Sequence, residues 1–560
     1  MQDAAGPPDA VAQGREALAA GSWGEARQAF ERALREGESP PALEGYAHAT
    51  RWLGEVEPSL DARERAFRSY RRAGDGAGAA RSAVWLAYDH VAFRGDTAVA
   101  RGWFSRAHRL LEGLEESEER GWLAFFEGEV ALIAEDDAIR AGELAATASE
   151  IGHRRGVLDL EMLGRSLEGL ARVAAGDVRE GMELLDEASA AAVSGEFAGL
   201  HYAGGACCHL IFACERVQDV ERAAQWCDTV RGFCERWSIP QLFGFCRAHY
   251  AAVLTWRGEW DEAERELGGA MEAYDQGAPA LAFEALLRLA ELRRRQGRLE
   301  ESAELCERVA WHPQAKLCLS ELALERGDLD EAADLLDRYL RALPPGERLA
   351  RAPALALVVR VHAERGAAEV AMKHLGELAG IAADAGTDPL RAALRSSEGL
   401  VASARDDHEG ARKHLEDAVD LWSRCGAPFE AARARMALGL TLSRLGRQRE
   451  AARELEAAAA ALAGLGANRE RDRAGAALAD VDAGSAIAPP TGDRASRGGL
   501  SERELEVLRL AAQGFTEPEI AEKLIVSRHT VHRHMANIRT KLNQRSKAAA
   551  VARAADQGLL

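Results

Sequence analysis

The residues whose types and spacing could do chemistry lie in the stretch from Thr516 to Met535 and just beyond it. Arg528, His529, His532, Arg533 and Arg539 fall on one side of a helical wheel, and Val531, Ile538 and Leu542 fall on the other. A row of guanidinium and imidazole groups along one helix face is complementary to a polyanion. Ile520, Ala521 and Leu524 give a shorter preceding helix its own apolar face. Val526 sits in the turn between the two, and Ser527 caps the second helix. A basic helix packed across a short one is a helix-turn-helix, whose second helix enters the DNA major groove.

The elements around this pair must hold it in place. Ser501 with Glu504, and Thr516 with Glu519, have capping-box spacing. Pro518 falls in the first turn of its helix, where a missing N–H costs little, and Gly514 closes the helix before it. Residues 500–560 resemble the LuxR-type DNA-binding domain. The resemblance is carried by Leu500, Arg503-Glu504, Val507-Leu508, Gly514, Glu519-Ile520-Ala521, Leu524, Ser527, Thr530-Val531, His534, Asn537-Ile538, Lys541-Leu542 and Ala550-Val551. It implies a four-helix bundle, with His532, Arg533 and Ala536 toward bases and Arg528, Thr530 and Lys541 toward phosphates. Arg533 could pair bidentately with guanine O6 and N7, and Ala536 could rest on a thymine methyl. The fourth helix, Arg545 to Gln557, is by the same resemblance a dimer surface, which implies a homodimer on double-stranded DNA. Gln544 and Lys547 depart from the family pattern, where an aliphatic residue and an arginine are usual. His534, on the side of Val531 and Ile538, is expected to be packed and structural.

The body ahead of this domain repeats itself. A turn residue is followed five places later by a small residue and four places further by an apolar one. Gly21/Ala26/Phe30, Gly95/Ala100/Phe104, Asp136/Ala141, Gly176/Gly181/Leu185, Gln218/Ala223/Cys227 and Gly258/Ala263/Leu267 follow this rule. So do Gly297/Ser302/Cys306, Gly327/Ala332/Leu336, Gly366/Ala371/Leu375, Asp406/Ala411/Leu415 and Gly446/Ala451/Leu455. One degenerate unit fits near Ala62–Tyr70. The small residue lets two helices of a hairpin approach, the apolar residue fills the gap, and the turn residue takes positive φ after the first helix ends. The segments Trp23–Phe30 and Trp260–Leu267 resemble tetratricopeptide repeats, with a period nearer 40 residues than the usual ~34. Stacked hairpins form a superhelix with a concave surface. The expected fold is therefore all-α: a tetratricopeptide-like helical-hairpin superhelix over 10–482, after a disordered 1–9. A flexible Gly/Pro/Ser/Ala-rich linker spans 483–495 and a small four-helix bundle spans 496–560, with its helix-turn-helix at 516–535.

Charge separates the same regions. The chain carries a net −19, yet residues 494–560 sum to +5 and the remainder to −24. Only the tail is thus expected to meet a polyanion. With six lysines against many arginines, and abundant Ala and Gly, the chain has the look of coding from a GC-rich, bacterial genome. The first residues lack a basic start and an apolar run, and no apolar stretch is long enough to span a bilayer, so a cytoplasmic location is expected. Six of the nine cysteines crowd into 207–246. Cys207/Cys214 and Cys227/Cys234 each share a helix face two turns apart, too far to bond within one helix. No CxxC or Cys/His spacing suits zinc, so these thiols are expected to pack the core rather than to bind metal or sense oxidants.

No Lys follows a Gly, which excludes a P-loop. There is no GxSxG, and no alternating strand–helix pattern for a receiver or autoinducer-binding domain. No catalytic residue, metal ligand or cofactor is expected. The sequence points to a transcriptional regulator whose repeat body binds a protein, peptide or small-molecule effector and controls presentation of the DNA-binding tail. The alternative from another class is a protein-interaction scaffold whose terminal bundle docks protein. A sigma-factor-like role lacks a polymerase-binding helical region before the tail.

Overall fold

The computed structural model describes residues 9–113, 117–236, 246–277, 282–343, 347–487, 500 and 502–524, and within 531–559 all but 532, 533, 536, 537, 540, 543 and 545. Every regular element among the described residues is a helix. The hairpins run α1 (Ala10–Ala19) with α2 (Trp23–Glu36), α3 (Pro40–Trp52) with α4 (Val56–Ala73), α5 (Gly76–Arg94) with α6 (Thr97–Leu111), and α7 (Glu118–Ile133) with α8 (Ala138–Arg155). Next come α9 (Leu158–Ala175) with α10 (Val178–Ser194), α11 (Leu200–Val217) with α12 (Val220–Arg236), and α13 (Arg247–Arg257) with α14 (Trp260–Gly277). They continue as α15 (Phe283–Arg295) with α16 (Leu299–Arg308), α17 (Ala315–Arg326) with α18 (Leu329–Ala342), and α19 (Arg348–Glu364) with α20 (Ala368–Ala385). After α21 (Asp388–Ala404), α22 (His408–Arg424), α23 (Pro428–Arg444), α24 (Gln448–Leu465) and α25 (Asn468–Ile487) come α26 (Glu502–Ala512), α27 (Glu517–Leu524) and α28 (Lys547–Asp556). Contacts group these into two compact units, Met1–Arg391 and Ala392–Leu560.

The repeat rule is obeyed in detail. All eleven turn positions adopt positive φ, including the non-glycine residues Asp136, Gln218 and Asp406. The small residues at 26, 100, 141, 223, 263, 302, 332, 371, 411 and 451 are all fully buried. At 181 the helices approach closer still: a Cβ on Gly181 would stand 2.6 Å from the Gly169 carbonyl oxygen, and a Cβ on Gly169 equally close to that of Gly181. The apolar plugs land in prepared holes. A Cβ at Gly439 would meet Leu455 at 2.7 Å, at Gly399 Leu415 at 2.6 Å, and at Gly169 Leu185 at 2.9 Å, each glycine sixteen residues before its leucine. Leu375 is the exception: it is only half-buried, and Leu378 is fully buried on the same helix.

The degenerate unit expected near Ala62–Tyr70 begins earlier, as Gly54/Ser59/Arg63, with Gly54 at φ 72° and Ser59 fully buried. An arginine occupies the plug position. Arg63 is 1% exposed, donates from Nε to Asp89 Oδ2 at 2.6 Å, and lays its guanidinium 4.6 Å from the Trp85 ring. Arg51 pairs with the other oxygen of Asp89. A charged plug hides the repeat from hydrophobic periodicity.

In the first unit the inner helices close on one another. α19 packs against α9 and α11, and Arg216 on α11 meets Glu347 at the start of α19 at 2.7 Å across 131 residues of chain. Cys207, Cys214 and Cys227 are buried, as packing thiols would be. Cys208 and Cys246 are a correction to that reading. They form a disulfide with Cα atoms 5.2 Å apart, joining α11 to the residue that precedes α13. Spacing along the chain constrains only bonds within a helix, and this bond runs between helices.

Candidate nucleic-acid interface

The tail's core is built from four segments. Leu505, Val507, Leu508 and Ala511 come from α26, and Ile520 and Ala521 from α27. Val531, Met535, Ile538 and Leu542 follow, and Ala550 and Ala554 come from α28; Leu500 and Leu559 close the two ends. Steps of four, three and four from Val531 to Leu542 place a single helical stripe on the core. Met535 belongs to this stripe, although the sequence reading took only Val531, Ile538 and Leu542.

Local chemistry fixes the ends of these helices. Thr516 donates from its backbone N–H and its hydroxyl to Glu519 Oε2, both at 2.8 Å, which is the reciprocal half of a capping box. Those bonds hold the Glu519 carboxyl below its usual range. Gly514, at φ 92°, turns the chain between α26 and α27. Ser546 accepts from the Ala549 N–H at 3.1 Å and caps α28. Lys547, where an arginine is usual, donates to the Phe515 carbonyl at 2.7 Å and so ties α28 back to the turn before α27. Lys523 lies 4.5 Å over the Phe515 ring. Gln544, where an aliphatic residue is usual, is half-buried and spends its amide on the Leu542 carbonyl at 3.3 Å.

Of the six residues expected at the DNA, Arg528, Thr530, His532, Arg533 and Ala536 lie outside the described residues, as do His529 and the Ser501 half of the first capping box. Lys541 is described. Its Nζ sits 2.6 Å from Oε2 of Glu504, whose side chain is only 4% exposed, so it neutralises a nearly buried carboxylate on α26. A lysine ammonium has three donors, and one such contact leaves donors for a further oxygen. Arg539 is half-exposed and its carbonyl accepts from the Gln544 N–H at 2.7 Å. His534 is half-buried beside the stripe. The Lys541–Glu504 pair escaped the sequence reading because Glu504 was assigned to a cap. Its signal would have been a carboxylate flanked by the core residues Leu505, Val507 and Leu508.

Residues 499–554 match the luxR family of bacterial regulatory proteins, and residues 257–315 and 310–347 match the tetratricopeptide repeat. The oxygen regulatory protein NreC of Staphylococcus epidermidis is 51% identical over 61 residues, and NreC of Staphylococcus aureus is equally similar. The similarity covers 11% of this chain and 28% of the NreC proteins, all of it in the tail. Among solved structures, the APC/C hetero-tetramer Cut9-Hcn1 covers 85% of this chain and 90% of its own at 14% identity, with a TM-score of 0.45. A Rap protein complexed with competence and sporulation factor covers 72% and 99% at 13% identity, with a TM-score of 0.38. No described helix is long and apolar enough to cross a membrane.

Proposed function

We propose that this chain, which carries a luxR-family helix-turn-helix domain behind a body with tetratricopeptide repeats, is a sequence-specific DNA-binding transcriptional regulator of the cytoplasm. One observation carries the reading: the stripe Val531, Met535, Ile538 and Leu542 is consumed by the tail's core. On a helix so anchored, the sequence assigns His532, Arg533 and Ala536 to the opposite face, with Arg528 and Arg539 at its flanks. In this proposal the first three face bases. Arg528, Thr530 and Lys541 face phosphates, and Lys541 does so while still neutralising Glu504. The tail acts as a homodimer through its last helix. The repeat body binds a protein, peptide or small effector and changes how the tail is presented. No step of this activity is catalytic.

The test is selection of genomic DNA fragments by the full chain at moderate salt. Enrichment of a few sites over bulk fragments is the expected result. Equal retention of all fragments would reduce the tail to a non-specific polycation. Absence of retention would favour the scaffold reading, in which the bundle docks protein.

A further inference from the structure

We propose that Cys208 and Cys246 are a reversible thiol–disulfide pair, a redox modification site that sets how helix α11 is coupled to the hairpins after it. The inference concerns the repeat body alone and stands or falls independently of DNA binding. The bond is placed where a covalent change would be felt. Cys208 lies in the middle of α11, and Cys246 immediately precedes α13. The bond therefore fixes the start of α13 against α11, around the whole of α12.

Helix α11 is the element through which distant hairpins meet. His209, the neighbour of Cys208, is buried between Ser166 on α9 (Nδ1 to Oγ, 3.0 Å) and Glu129 on α7 (Nε2 to Oε1, 2.6 Å). Two turns on, Glu215 takes His249 of α13 at 2.7 Å and Arg288 of α15 at 2.6 Å, and Arg216 takes Glu347. The position of His249 against Glu215 depends directly on where α13 begins. Part-buried pairs of this kind have a limited range of good geometries, and a shift of one partner leaves the others short of a hydrogen-bonded counterpart. Freeing the start of α13 would thus be transmitted to α15 through Arg288.

The chemistry is accessible on one side only. Cys208 is partly exposed and Cys246 is buried. A dithiol reductant attacks Sγ of Cys208, forming a mixed disulfide and expelling Cys246 as thiolate, which takes up a proton. The reductant's second thiol then attacks its own sulfur in the mixed disulfide. Cys208 is released as a thiol and the reductant leaves as a cyclic disulfide. The return step needs a disulfide oxidant, such as oxidised glutathione, which takes up the two electrons and two protons and leaves as two thiols. Cys214, Cys227, Cys306 and Cys318 are buried, and burial pushes the Cys214 and Cys227 thiols up, so they do not compete for the exchange.

The experiment uses the full chain, folded, treated either with oxidised glutathione or with dithiothreitol, then alkylated with N-ethylmaleimide without denaturant and digested. The expected result is a Cys208–Cys246 cross-linked peptide after oxidation, and after reduction no cross-link and label on the partly exposed Cys208. Treating the reduced protein with oxidised glutathione should restore the cross-link. Hydrogen exchange on the same samples should be severalfold faster in α13 and α15 of the reduced form. A Cys208→Ser variant should match the reduced pattern under both treatments; if it does not fold, the two forms of the unaltered chain still decide the question. No cross-link after oxidation, a bond that dithiothreitol leaves intact in the folded protein, or identical exchange in the two forms would each overturn the proposal.

Discussion

Asp89 shows how much one side chain can hold. It is fully buried and accepts from Arg63 and Arg51, and Arg63 is itself 1% exposed. Burial pulls the Arg63 guanidinium below its usual range, and Asp89 opposes that pull. Asp89→Ala leaves a buried guanidinium without its carboxylate and should cost about 3–5 kcal/mol in denaturant unfolding. Arg63→Met, which leaves Arg51 for Asp89, should cost distinctly less; the reverse order would show that the pair does not hold the first hairpins together. Asp136 poses a different residue-scale problem. It is a non-glycine residue at φ 52°, and burial, followed by the Glu347 carboxylate, pushes its carboxyl from 3.8 up to about 6, with Arg216 opposing. The folded state therefore binds the proton more tightly than the unfolded one. Asp136 lowers stability at pH 7, and that penalty fades as pH falls from about 6 to about 4. Asp136→Asn keeps a side chain that tolerates left-handed backbone. It should stabilise the chain at pH 7 by about 1–2 kcal/mol, allowing for Asp136's remaining solvent contact, and give no gain near pH 4. Equal gains at both pH values would show that the carboxylate's charge is not the cause.

At the scale of elements, the repeat was legible because its constraints are one-residue constraints. A positive φ, a fully buried small residue and a plug recur at fixed offsets, so they print directly on the sequence. The sites that receive the plugs were not legible, because a glycine inside a helix has many explanations until its partner is known. Gly181 sharpens this. The repeat uses Ala or Ser at that position elsewhere, yet here two glycines face each other and each would push a Cβ to 2.6 Å from a carbonyl oxygen. Gly181→Ala should therefore destabilise by about 1–3 kcal/mol despite a better helix propensity; a stabilised variant would show that α9 and α10 can separate. Arg63 was missed for the opposite reason, being a charged residue in an apolar role. The disulfide was missed because the pairing of cysteines from different helices depends on the stacking of hairpins, which spacing along the chain does not encode. In the tail, the Thr516–Glu519 bonds and the stripe positions Val531, Ile538 and Leu542 were legible from capping chemistry and period, whereas Met535 was not, and the Lys541–Glu504 pair joins residues 37 apart and needed the fold.

At the scale of the whole molecule, an acidic repeat body precedes a basic tail with its own core. That core is drawn entirely from Leu500 to Leu559, so residues 496–560 alone should give a helical, cooperatively melting circular-dichroism signal. A tail that is unfolded in isolation would mean that the body completes its core. The central claim is that this tail reads base sequence through the helix anchored by Val531, Met535, Ile538 and Leu542. Its test is the affinity of full-length Arg533→Ala for a selected site and for random DNA across a salt series. The expected outcome is a loss of about 1–3 kcal/mol on the selected site, little change on random DNA, and a salt slope close to that of the unaltered chain. Equal losses on both DNAs, or no loss on either, would contradict base reading by Arg533 and with it the proposed use of this helix.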